Sequence, residues 1–205
     1  MPNVHRRILL IRHGPSAHSE SPGWIDAAGV DRWREAYDAA GILSDSVPPP
    51  GISSEVAGAD VLVTSDLPRA LASAERLAPG KAVQVSPLFR ELSLEVPRWV
   101  GARWPLSIWA LWIHAHWLVR ERRGEIARPD ELQRAIDAVA LLDHLSREAR
   151  TVAVVTHGAF RRILTSRLAA TGWTAERRVG SYRNWSVWPF HRVDVDGGGM
   201  TGVVP

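Results

Sequence analysis

A chain of 205 residues with 45% hydrophobic content is long enough to bury a sizeable core, and no Pro/Gly/Ser-rich linker divides it near its middle, so a single domain over residues 1–205 is expected. It contains no cysteine, which excludes disulfides, thiolate metal sites and a cysteine nucleophile. Its net charge is only +3, and its one short basic run, residues 120–123, reads as a solvated helix end, so no nucleic-acid partner is expected.

The amino terminus has only the apolar run Ile8–Ile11 before Arg12, too short for the apolar region of a signal peptide. The longest apolar stretch, residues 105–119, falls below the roughly 20 residues of a membrane span and carries His114 and His116. The expectation is a soluble cytoplasmic protein with no stable membrane insertion.

In chain order, residues 6–12 predict a first strand, stopped by Gly14 and Pro15. Residues 26–43 have helical stretches punctuated by Gly29 and Gly41, and "SVPPPG" (46–51) reads as a rigid turn or loop. A second apolar strand covers 60–65, a helix 66–78 and a third strand 81–87. Residues 131–149 place apolar side chains at 132, 136, 139, 142 and 145, an amphipathic helix. A fourth strand at 151–158 leads into a helix over 159–171, and residues 185–196 offer one or two final strands. Strands alternating with helices imply an α/β fold, a three-layer αβα sandwich around a mostly parallel sheet.

In such folds ligands bind at the carboxyl ends of the strands. Three of these ends carry polar residues: Arg12-His13-Gly14, Thr64-Ser65 and Thr156-His157-Gly158. The echo between "LLIRHG" and "AVVTHG" brings two histidines to one edge, each followed by a glycine that permits close backbone approach. Arg69 falls about one helical turn after the second strand and could point back to that edge, and Glu91 follows the third strand as a candidate acid. Two histidines, two arginines and one carboxylic acid suit a phosphate monoester. Arginines orient the phosphate oxygens, a neutral imidazole attacks phosphorus and the acid protonates the leaving alkoxide. No carboxylate cluster has metal-ligand spacing, so neither a metal nor another cofactor is expected. His114 and His116, two apart on a predicted helix, point to different sides.

"RHG" near the amino terminus, "TSDLPRALASAE", "FREL" and the late "THG" together resemble the histidine phosphatase superfamily, also called the phosphoglycerate mutase-like family. The resemblance runs from about residue 6 to 171, apart from a divergent middle. It implies that His13 is transiently phosphorylated and that Arg12, Arg69 and His157 form the phosphate pocket around it. Glu91 matches the family's proton donor, with Glu95 the alternative. Pro15 stands where the family commonly has an acidic residue, and Ser16 keeps the following hydroxyl as a phosphate ligand.

Ten tryptophans occur in the chain, and Trp99, Trp104, Trp109, Trp112 and Trp117 crowd into a helical insert at about 97–128. That insert reads as buried core, as a dimer interface or as an aromatic lid over the pocket, and Trp185 and Trp188 could join the same cluster. The functional expectation is a metal-independent phosphatase of a small phosphorylated metabolite, working through phospho-His13. The alternatives are a cofactor-dependent phosphoglycerate mutase-type phosphotransferase and a non-catalytic phospho-ligand-binding module. A homodimer is compatible with each.

Overall fold

The computed structural model describes residues 4–18, 21–93, 96, 103–123, 128–180 and 182–194. Its centre is β1 (Val4–Arg12), whose uninterrupted apolar run requires cover on both faces. Strand β1 lies between β6 (Thr151–Thr156), which is parallel to it, and β8 (Val187–Asp194), which is antiparallel. Beyond β6 come β3 (Val61–Thr64) and β4 (Val83–Val85), both parallel, and β7 (Thr174–Ala175) pairs antiparallel on the far side of β8. The strand order is therefore β4-β3-β6-β1-β8-β7, a mostly parallel sheet.

Alternate residues of the strands feed two cores. Ile8, Leu10, Val152 and Val154 pack with α5 (Pro129–Glu148) and α6 (Gly158–Ala170). Leu9, Ile11, Ala153 and Val155 pack with α2 (Pro50–Ala57) and α3 (Pro68–Leu77) on the opposite face. This is the expected αβα sandwich. A third, smaller core joins α1 (Ala27–Ala39) to α4 (Leu106–Arg122) through Ala27, Val30, Val96 and Trp109. The short strands β2 (Trp24–Ile25) and β5 (Trp104–Pro105) pair beside it.

Several elements differ from the sequence reading. Helix α2 starts inside "SVPPPG", because Pro50 at its first position gives up no hydrogen bond that the helix could have made. Gly29 lies within α1 and donates to the side chain of Asp26, which caps the helix. In α5 the small residues Ala135 and Ala138 take the inward face with Val139 and Leu142, and Ile136 is left exposed. The tryptophans also separate: Trp109 is buried in the small core and donates to the Ile25 carbonyl at 2.9 Å, whereas Trp188 and Trp185 belong to the two faces of the main sheet. Trp99 lies outside the described residues. No helix among them is long and apolar enough to cross a membrane.

Candidate active site

Strands β1, β6 and β3 are neighbours and parallel, so their carboxyl ends deliver Arg12-His13, Thr156-His157 and Thr64-Ser65 to one edge. The imidazoles of His13 and His157 lie with ring centroids 5.0 Å apart and are both buried. His13 Nδ1 is 2.7 Å from the Gly14 carbonyl oxygen. A carbonyl can only accept, so Nδ1 carries the hydrogen and Nε2 keeps its lone pair. Burial, and then the charges of Arg69 and Arg12, lowers the His13 pKa to about 3 against the favourable bond to Gly14, so the ring is neutral near pH 7. Burial also lowers that of His157, helped by His13, Arg69 and Arg12. His157 Nε2 meets the Ser65 hydroxyl at 3.0 Å, and that hydroxyl accepts from the Leu67 amide.

The turn after β1 is held from several directions. The His13 amide donates to Thr156, the Gly14 amide to the Ser73 hydroxyl at 2.9 Å, and Asn184 Nδ2 to the His13 carbonyl at 2.9 Å. Trp185, with φ of 60°, donates its amide to the Arg12 carbonyl. Its ring covers Gly14 so closely that a Cβ there would meet Cζ2 at 2.3 Å. Neither Asn184 nor Trp185 is singled out as a site residue by sequence; the polar run "RNWSV" just before the last strand was the available signal.

Arg69 sits in the first turn of α3 and is buried. It donates to the Tyr37 carbonyl at 3.1 Å, pairs with Asp38 at 3.0 Å and lies 4.5 Å from the centre of the Tyr37 ring. Arg12 donates to the Tyr182 carbonyl, and its guanidinium closes on Gly158, where a Cβ would come within 3.3 Å. Arg12 Nε, Arg69 Nε and His157 Nδ1 are buried and find no hydrogen-bond partner among the described residues. Below them Arg161 is fully buried, bonded to Ser186 and 3.8 Å over the Trp188 ring, and burial pulls its pKa down to about 9.

Glu91 reaches the amino terminus of α6, where its two oxygens accept from the amides of Ala159 at 3.3 Å and Phe160 at 2.8 Å, as well as from Leu92 at 3.0 Å. Arg134 of α5 fixes the loop that carries it by donating to the carbonyls of Leu88, Arg90 and Glu91. Glu131 pairs with Arg134 and accepts from the Ser93 amide. Glu95 lies outside the described residues. The Ser16 hydroxyl accepts from the His18 amide at 3.2 Å, and its backbone bridges Ile42. Pro15 uses its carbonyl to accept from Leu43, a position that needs no amide hydrogen. His114 and His116 do diverge: His114 bonds the Ala110 carbonyl, and His116 stacks on Trp112. Among the described residues no group of three or more His, Cys, Asp or Glu could hold a metal ion.

Arg12, Arg69 and Glu91 face one cavity of about 790 Å³, walled also by α1, α4 and the start of α6. A mostly parallel sheet flanked by helices, with His13 and His157 at its strand ends and Arg12, Arg69 and Glu91 on one cavity that the two histidines do not line, is an α/β fold of the phosphoglycerate mutase-like kind. The chain belongs to the histidine phosphatase superfamily (branch 1), whose sequence profile matches residues 8–201. No match was found among curated protein sequences. The fold is shared with a mycobacterial glucosyl-3-phosphoglycerate phosphatase in complex with VO3, at 20% identity and a TM-score of 0.55, over 93% of this chain and 98% of that one. It is also shared with mycobacterial hydrolase 2, at 20% identity and a TM-score of 0.53, over 95% and 91% of the two chains. A phosphoserine phosphatase from Entamoeba histolytica, in complex with 3-phosphoglyceric acid, is similar over 80% of each chain, at 19% identity and a TM-score of 0.51.

Proposed function

We propose that this protein is a metal-independent phosphatase that hydrolyses small phosphomonoesters through a phosphohistidine at His13. The observation that carries this reading is the set of three buried, unpartnered nitrogens, Arg12 Nε, Arg69 Nε and His157 Nδ1, around a neutral imidazole. Each such orphan costs about 1–3 kcal/mol unless an acceptor meets it. A phosphate brings several acceptors at once, and two guanidinium groups match its charge and fork geometry. The family supports the same class of reaction.

His13 Nε2 attacks phosphorus, and the bond from phosphorus to the substrate oxygen breaks. Arg12, Arg69 and His157 hold the equatorial oxygens as charge redistributes. Glu91 delivers the proton that the departing alkoxide needs. The resulting carboxylate takes a proton from water, whose oxygen attacks phosphorus, releasing phosphate and restoring His13. Ser16 is offered as an outer contact of the phosphate. Hydrolysis of p-nitrophenyl phosphate without added metal tests the proposal: wild type turns over and His13→Ala does not. Undiminished turnover in that variant would remove the nucleophile.

A further inference from the structure

The geometry points to a substrate whose alcohol carries a large, flat, uncharged aromatic group; this rests on the phosphatase reading above and specifies its leaving group. The cavity of about 790 Å³ lies in the upper half of the range that accommodates drug-sized ligands. The phosphate is fixed at Arg12 and Arg69, so the remaining space belongs to what the phosphate is attached to.

That space is aromatic. Trp33 and Tyr37 of α1 stack at 5.2 Å with an interplanar angle of 18°, and the Tyr37 ring in turn meets the Arg69 guanidinium. The column thus leads from the outer wall to the phosphate-binding arginine. From α4, Trp117 packs 4.5 Å from the Arg162 guanidinium, which also lies 5.6 Å from the Tyr182 ring. Leu67 and Leu92 add apolar surface.

Four charged side chains of the wall are paired within the protein. Arg34 pairs with Asp31 at 2.8 Å, Arg90 bonds Asp66 through Nε at 2.7 Å, and Asp38 pairs with Arg69. A second carboxylate on the substrate would have to compete with those partners. A sugar or other polyol brings hydroxyls that need polar partners; among the described lining residues Ser93 is the sole aliphatic hydroxyl, and Arg34, Asp38 and Arg90 are already paired within the protein. A flat ring loses no hydrogen bonds on entering such a space, and it gains contact with rings already ordered by packing.

Calorimetric titration with non-hydrolysable phosphonates reads this preference without turnover. (2-Naphthyl)methylphosphonate should bind at least about tenfold more tightly than n-propylphosphonate, and more tightly than its saturated decalin analogue. In Trp33→Leu and in Trp117→Leu, the naphthyl-to-propyl ratio measured within each variant should shrink towards one. Equal affinity of the naphthyl compound with either comparison ligand in wild type overturns the inference. So does a ratio unchanged in both variants, or failure of the naphthyl compound to bind. Hydrolysis of p-nitrophenyl phosphate by the same preparation reports on the phosphatase reading separately. Turnover without aromatic preference removes only the substrate class, and aromatic preference without turnover removes the phosphatase.

Discussion

Besides His13 itself, Glu91 and Gly14 are residues at which the proposed chemistry is exposed to a single substitution. The Glu91 carboxylate is aimed by three backbone amides, so Glu91→Gln keeps its size and can keep one accepted bond, but it has no proton to give. Its loss should therefore follow the leaving group: about 10²–10⁴-fold in kcat for alkyl phosphates and much less for p-nitrophenyl phosphate, whose phenolate departs without help. Equal losses on the two substrates would remove Glu91 from the role of acid. Gly14 matters through space. A Cβ there would strike the Trp185 ring, and Trp185 is pinned by its φ of 60°, its amide bond to Arg12 and its indole bond to Ser46. Gly14→Ala must displace either that ring or the His13 turn, and a displacement near 1 Å at a nucleophile costs on the order of 100-fold in rate. Trp185→Leu in the Gly14→Ala background should restore part of the activity, which phosphate release in the two variants would check.

At the level of elements, α5 acts as the clamp on the acid-bearing loop. Arg134 donates to three carbonyls between Leu88 and Glu91 and lies 4.1 Å from the Phe160 ring, while the buried Glu131 holds Ser93. Arg134→Met leaves those carbonyls unmet and Glu131 with only the more distant Arg128, 3.9 Å away, as counter-charge. The expected cost is roughly 2–4 kcal/mol in urea denaturation, with kcat on alkyl phosphates falling more than on p-nitrophenyl phosphate. Unchanged stability would show that the clamp is dispensable. None of this was legible in sequence, and the reason is physical. Strand ends and paired "HG" steps are written in local apolar runs and glycines, so the sheet, His13 and His157 could be read. The bonds of Arg134 and Asn184 run to backbone atoms 43–46 and 171 residues away, and no local pattern encodes such a partner. The inward face of α5 was misjudged at Ile136 for a related cause. Close packing favoured the small Ala135 and Ala138, a choice set by neighbouring elements and not by hydropathy.

For the molecule as a whole, the two buried imidazoles make stability depend on pH. The folded pKa of His13 is about 3 and that of His157 is also well below its ordinary 6.5, so between pH 6.5 and about 3 the unfolded chain binds more protons than the folded one. Their contribution is complete above pH 6.5 and is lost as the pH falls from there, at a slope of up to about 1.4 kcal/mol per pH unit for each histidine. Asp143 acts lower. Burial raises its pKa, but the Arg147 hydrogen bond and the charges of Arg6 and Arg192 outweigh that and lower it. Its contribution is therefore present above its ordinary 3.8 and lost as the pH falls through the lower folded value. Urea midpoints should drop steadily from pH 7 to 5 in wild type and less steeply in His13→Asn. A flat wild-type profile over that interval would contradict the neutral, buried assignment.

Strand β1 leaves the ribosome long before either of its neighbours, which comprise Thr151–Thr156 and Val187–Asp194. Until they emerge its apolar edge has no native strand to pair with, which is the condition that invites adhesion to other nascent chains. The His13 turn likewise stays unclamped until Asn184, 171 residues further on, and Trp185 have emerged.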